Sequence, residues 1–141
     1  MTTVNGQCLC GDVQFKTPKP QAIDVCHCET YQGWVGGPFI GADYFEGGVE
    51  ITKSDGLTWY ASSDWAKRGF CKHCGSSLFY RLNDNEGFWA IIAGSLNLPE
   101  GYTLGKEIFI DKKPEYYALM GNHPRLTGDE FMASLQENQD D

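Results

Sequence analysis

The six cysteines of this 141-residue chain fall into three close pairs, and no other feature restricts the fold as strongly. Cys8 and Cys10 make a C-x-C, Cys26 and Cys28 a second C-x-C, and Cys71 and Cys74 a C-x-x-C. So short a loop rarely reaches unstrained S–S geometry, which makes close pairs poor disulfide partners. They are good metal ligands, because two thiolates from one tight turn can face the same tetrahedral ion while a second turn supplies the other two. "CLCGDVQF" and "CKHCGSSLFY" share one plan: two cysteines, an immediate glycine, then an alternating run. Glycine suits a backbone that turns sharply while its amides approach sulfur. Two such knuckles facing each other form a zinc-ribbon site, so Cys8 and Cys10 pair with Cys71 and Cys74. A closed four-thiolate shell leaves no open coordination position and is structural. The alternatives are two buried thiol pairs without metal, or a redox C-x-x-C at Cys71 and Cys74. A redox motif opens a helix in a βαβ setting, whereas a strand is expected here.

Cys26 and Cys28 remain. In an extended segment both face one side and His27 the other, so His27 is a poor third ligand unless the backbone bends. The run from Gly33 to Phe39 is glycine-rich and aromatic. Beside paired thiols, such a run lets the backbone of a ligand approach closely.

Composition narrows the class. A chain of this length, 41% hydrophobic, builds its own core and suggests one domain over residues 1–141. The net charge of −8 carries no basic footprint for nucleic acid, which argues against a zinc-finger transcription factor despite the cysteines. "MTTVNGQC" lacks the charged and apolar regions of a signal peptide, and no apolar run approaches a membrane span. A cytoplasmic, reducing compartment is expected, where free or metal-bound thiols prevail over disulfides.

Strand signals dominate. Val13 and Phe15 alternate with Asp12 and Gln14. "GVEITKSDGLTWYASS" reads as a hairpin about Ser54, Asp55 and Gly56. "SSLFYRLNDNEGFWAIIAGSL" gives two strands joined by a polar turn from Asn83 to Gly87. "GKEIFIDKKP" is a strand ended by Pro114, and Pro114 could open a short helix through Tyr116, Tyr117 and Leu119. Thr127 to Glu130 is a capping-box pattern ahead of a final helix with Phe131 and Leu135 at i, i+4 spacing. Gln139 to Asp141 is expected to be a frayed acidic end.

"GQCLCGDVQF", "VCHCETY", "GGPF" and "FCKHCGSSLFYR", in that order, resemble the glutathione-dependent formaldehyde-activating enzyme family, which includes the centromere protein V type of domain. The resemblance spans about Gly6 to Pro124. It implies a mainly β, Mss4-like fold: several antiparallel sheets around a structural zinc held by Cys8, Cys10, Cys71 and Cys74, with little helix. It also implies that Cys26 and Cys28 are catalytic and ligate a second zinc, in a pattern C-x-C-x-x-C. Here the third position is Tyr31. Three readings follow. Tyr31 packs as a core aromatic and the second site is structural and empty. Alternatively, zinc is held weakly by Cys26, Cys28 and a substitute such as Tyr31, Glu29 or His27. The third reading is a thiol site that works without metal.

The family chemistry joins glutathione and formaldehyde into S-hydroxymethylglutathione, a carbon–sulfur lyase reaction that also runs unaided. The resemblance therefore implies either an enzyme acting on glutathione adducts or a zinc-stabilised module that binds glutathione, another small thiol or a protein without turnover. Glutathione carries two carboxylates, which directs attention to Lys53, Lys67, Arg68 and Arg81. Arg68 is the preferred cofactor-binding candidate, because guanidinium geometry suits a carboxylate. Trp34 and Phe39 are expected in packing or as a pocket wall, His73 as an exposed residue between ligands, and His123 as a turn residue before Pro124.

Overall fold

The computed structural model describes residues 3–139. In chain order its strands and α-helices are β1 (Thr3–Gln7), β2 (Gln14–Pro18), β3 (Ile23–Cys26), α1 (Glu29–Val35), β4 (Phe39–Tyr44), β5 (Glu50–Lys53), β6 (Leu57–Ala61), β7 (Ala66–Cys71), β8 (Ser77–Leu82), β9 (Trp89–Ile92), β10 (Leu104–Ile108) and α2 (Gly128–Gln139). The mainly β class expected from the sequence is correct. The chain divides into two compact units, one formed by the residues up to Ala22 with Gly41–Tyr102, the other by Ile23–Ile40 with the residues from Thr103 onward.

In the first unit, β1, β2 and β5 form an antiparallel sheet in that order. A second antiparallel sheet runs β4, β9, β8, β7, β6. Strand alternation places Val13 and Phe15 inward as expected, both buried. Phe15 meets Phe79 edge-on at 4.8 Å, and Phe79 meets Trp89 edge-on at 5.2 Å, the arrangement that ring quadrupoles favour. The turn from Asn83 to Gly87 joins β8 to β9 as read.

One expectation fails in an instructive way. The turn at Ser54–Gly56 exists, closed by Leu57 N–H to the Ser54 carbonyl at 3.1 Å, but its flanking strands are not partners. β5 pairs with β2, and β6 with β7. Gly56 N–H donates to the Asp12 carbonyl at 3.1 Å, and its own carbonyl accepts from Lys72 N–H at 2.7 Å. The turn is thus held between the two cysteine knuckles, and the strands leave it toward different sheets.

In the second unit, β3 and β10 pair in parallel, with Val25 opposite Glu107 and Cys26 opposite Ile108. β10 stops at Ile108 rather than running to Pro114. Phe109 takes a left-handed conformation (φ 55°), followed by a short 3-10 turn over Ile110–Lys112. Its ring lies over Gly128, where a β-carbon would come within 2.6 Å of the ring. No helix forms at Pro114. The carbonyls such a helix would use are taken by side chains: Lys113 Nζ donates to those of Pro114 and Tyr117, and Arg125 Nη2 to those of Leu119 and Gly121. Conversely the start of the glycine-rich run, Gly33 to Val35, belongs to α1, which ends at left-handed Gly36. The capping box is confirmed: Thr127 Oγ1 accepts from Glu130 N–H at 3.1 Å, and Glu130 Oε1 accepts from Thr127 N–H at 2.9 Å. Of the expected frayed end, Gln139 closes α2, while Asp140 and Asp141 lie outside the described residues.

Candidate functional site

The first unit gathers the sulfurs of Cys8, Cys10, Cys71 and Cys74 within 4.8 Å of one another. Cys10 Sγ lies 3.7 Å from both Cys8 Sγ and Cys71 Sγ. Each knuckle closes through its glycine: Gly11 N–H donates to the Cys8 carbonyl at 3.2 Å, and Gly75 N–H to the Cys71 carbonyl at 2.7 Å. Both glycines take positive φ, 83° and 81°, which a β-carbon would resist. Backbone amides approach sulfur as the sequence suggests, with Val13 N–H 3.3 Å from Cys8 Sγ. Asp12 links the knuckles by accepting from His73 Nδ1 at 2.8 Å, and also binds Lys53 at 3.3 Å. His73 is exposed, as expected, yet not idle.

The four thiols compete for charge. The Ser76 hydroxyl and N–H draw the Cys74 thiol down to about 5. Cys10 is pulled down by the Asp12 N–H, but lost solvation and the thiols of Cys74, Cys8 and Cys71 push it up to about 12. A dipositive ion among the sulfurs removes that conflict, since a coordinating thiol deprotonates. Four converging soft donors on preformed turns fit a metal, and tetrahedral zinc matches the donor set. These residues would hold it as a structural tie.

The second unit carries the other pair. Cys26 ends β3 and is buried; Cys28 is half-buried at the start of α1. The Cys26 thiol donates a hydrogen bond to the Cys28 sulfur and favours its charge; burial works against the charge, and the Thr30 hydroxyl with the N–H groups of Tyr31 and Thr30 favours it. The balance brings Cys28 down to about 5. Thr30 Oγ1 lies 3.2 Å from Cys28 Sγ. Gln32 pins the loop, its Nε2 donating to the carbonyls of His27 at 2.6 Å and Lys112 at 2.9 Å.

A second zinc does not fit this pair. Among the described residues no third His, Cys, Asp or Glu joins Cys26 and Cys28 at ligand distance. Both nitrogens of His27 are engaged, Nε2 with Glu107 Oε1 at 2.7 Å and Nδ1 with Tyr117 OH at 2.8 Å. The Glu29 carboxylate is 79% exposed and faces Lys112 at 3.8 Å. Tyr31 stacks on Phe39, with centroids 4.1 Å apart and planes 14° apart, and Trp34 lies parallel to both. Tyr31 thus occupies the aromatic packing the sequence allowed for it, together with Trp34 and Phe39.

The four cations are all engaged. Arg68, in the first unit, is only 8% exposed, with its guanidinium 4.8 Å over the Tyr80 ring. Arg81 lies 3.9 Å over Trp89, Lys67 lies 4.8 Å over Trp59, and Lys53 binds Asp12. His123 is no simple turn residue, because its Nε2 donates to Glu107 Oε2 at 2.6 Å. Arg125 Nε donates to the same oxygen at 2.9 Å. Glu107 escaped sequence reasoning altogether: a lone acid in a strand looks solvated, and its partners lie 80, 16 and 18 residues away.

Residues 3–112 match the profile of the family described as glutathione-dependent formaldehyde-activating enzyme. An uncharacterized lyase of Schizosaccharomyces pombe is 30% identical over 137 residues, covering 96% of this chain and 98% of that protein. A crystal structure of a Rhodobacter sphaeroides protein superposes with a TM-score of 0.57 at 19% identity, covering 86% of this chain and 98% of that one, and shares the fold.

Proposed function

The chain belongs to the glutathione-dependent formaldehyde-activating enzyme family, and from that premise we propose that it makes and breaks the carbon–sulfur bond between glutathione and formaldehyde at the Cys26–Cys28 loop. The observation that carries this reading is Cys28, a half-buried thiol whose sulfur is stabilised as a thiolate by Cys26, Thr30 and backbone N–H groups. A thiolate at neutral pH adds to a small carbonyl. The carbon–sulfur bond forms, the C=O π pair moves onto oxygen, and that oxygen takes a proton from water. Cys28 then carries a hydroxymethyl group. Loss of that proton returns formaldehyde and the thiolate, and a glutathione thiolate alongside captures the released carbon. The net exchange moves the glutathione thiol proton to the hydroxymethyl oxygen of the product. A low-pKa thiolate is a modest nucleophile and a good leaving group, which suits a reversible carrier.

In this reading residues 1–141 act as one cytoplasmic domain. Cys8, Cys10, Cys71 and Cys74 hold zinc, whose contribution is to fix the knuckles. Glutathione is the small-molecule partner. Among the described residues no helix is long and apolar enough to cross a membrane.

The decay of S-hydroxymethylglutathione with and without protein tests the proposal. Acceleration that Cys28→Ser abolishes supports it; no acceleration by zinc-loaded protein rejects it. A second reading, binding without turnover, is favoured by Tyr31, which fills with a stacked ring the place where the family pattern puts a third thiolate. Glutathione binding seen by calorimetry with no effect on that decay identifies this alternative.

A further inference from the structure

His27 stands between the two thiols of the loop and is fully buried. Glu107 is equally sealed. An ionised carboxylate only accepts hydrogen bonds, so His27 Nε2 carries the proton it shares with Glu107 Oε1. In the neutral ring Nδ1 is then the acceptor for the Tyr117 hydroxyl. The other carboxylate oxygen accepts from His123 Nε2 and Arg125 Nε. The backbone repeats the pattern: His27 N–H donates to the Ile108 carbonyl at 3.1 Å, Glu107 N–H to the Pro124 carbonyl at 3.0 Å, and Leu126 N–H to the Glu107 carbonyl at 2.9 Å. The Glu107 carboxylate thus ties His27 at the end of β3 to His123 and Arg125, while the Glu107 backbone ties β10 to Pro124 and Leu126.

Such a cluster is a poor device for stability alone. Burying a carboxylate is costly, and well-packed apolar side chains often serve equally well. What a carboxylate with three donors adds is direction, since it fixes the rotation and height of the imidazole it holds. His27 has a thiol on each side, so fixing its ring fixes the backbone from which Cys26 and Cys28 project.

We propose that Glu107, acting through His27, is the positioning residue of the Cys26–Cys28 loop and holds the two thiols in place without a third metal ligand. Tyr117 completes the hold from the other nitrogen. The proposal rests on the reading of Cys26 and Cys28 as the working thiols. It is tested by thiol labelling rather than turnover, so a failure to process S-hydroxymethylglutathione leaves it standing.

The test is alkylation of zinc-loaded native protein at neutral pH, with each cysteine followed by peptide mass spectrometry. In Glu107→Gln, buried Cys26 is expected to label about tenfold faster than in wild type, through local opening of the loop. Cys8 and Cys71, equally buried but in the other unit, should stay protected. A purely structural role would expose all three together as the protein unfolds. Should Glu107→Gln fail to fold, Tyr117→Phe decides. It removes one hydroxyl from a half-buried ring and is expected to raise Cys26 labelling about threefold, the effect of a lost hydrogen bond of modest strength. Cys26 labelling unchanged in the folded variants, or rising only in step with Cys8 and Cys71, overturns the proposal.

Discussion

A β-carbon on Gly56 would stand 2.5 Å from Cys71 Sγ. The glycine lets the 54–56 turn pass directly against the sulfur while its backbone bonds to Asp12 and Lys72. Gly56→Ala must push either the turn or the thiol aside. A shift of a few tenths of an ångström does not relieve so short a contact. Expected are loss of tight metal binding and a destabilisation of about 2 kcal/mol, within the usual range for such a clash. Metal content per chain and melting temperature measure both.

Cys71→Ser should yield metal-free or insoluble protein, and a strong chelator should unfold the wild type. The four sulfurs join Cys8 to Cys74 across the first unit. Metal binding to such shells is worth on the order of 10 kcal/mol in small peptides and is coupled to folding. A variant that retains wild-type zinc and melting temperature would show that the pairing of knuckles is wrong.

Acid should weaken the second unit through Glu107. Burial opposes its charge, but the hydrogen bonds from His123 and His27, with the Arg125 guanidinium, hold its pKa below the ordinary 4.5. A depressed folded-state value means the stabilisation is complete above the unfolded value and disappears as pH falls through the folded one. Glu107→Gln should therefore lower the local stability of the second unit at neutral pH by about 1.4 kcal/mol, the equivalent of the tenfold opening expected at Cys26. Its loss of stability below pH 4.5 should also be shallower than that of wild type. Urea midpoints from neutral to acid pH give the comparison.

Wild-type protein should hold about one firm zinc, the number one closed four-thiolate shell accounts for. Tyr31→Cys should raise the number toward two, because it supplies the third thiolate at the spacing of the family pattern. It should also bind glutathione more tightly, at the position left open. Mass spectrometry under non-denaturing conditions with a chelator titration reads the count. Two firm ions in wild type would mean that a neighbour substitutes for cysteine; one ion in the variant would mean that the loop has left site geometry.

Nucleic acid should not bind at physiological salt. The net charge is −8, Lys67, Arg68 and Arg81 are stacked on rings, and Lys53 is paired with Asp12. A sub-micromolar, salt-sensitive affinity in a filter or anisotropy assay would contradict this.

What the sequence disclosed was local. The cysteine knuckles, the capping box at Thr127 and the inward alternation of Val13 and Phe15 all depend on neighbours a few residues apart, and all are found. The strands about Ser54–Gly56 were misassigned to each other because the forces on that turn come from Asp12 and Lys72, remote in sequence. Guanidinium geometry makes Arg68 the preferred carboxylate partner in the sequence, but the Tyr80 ring beneath it comes from another strand and is visible only in the fold. Glu107, Tyr117 and His123 could not be found by spacing, since their meaning arises from a parallel pairing of β3 with β10 that no periodicity announces.

The separations within the two cysteine sites also set an order of events during synthesis. The metal shell has all its ligands once residue 74 has left the ribosome. His27 must wait for partners 80 and 90 residues downstream, Glu107 and Tyr117. A nascent chain can thus carry all four sulfurs of the Cys8–Cys74 cluster while the Cys26–Cys28 loop is still unshaped. A chain truncated before Glu107 would therefore keep the four clustered sulfurs without the partner that holds His27 between Cys26 and Cys28.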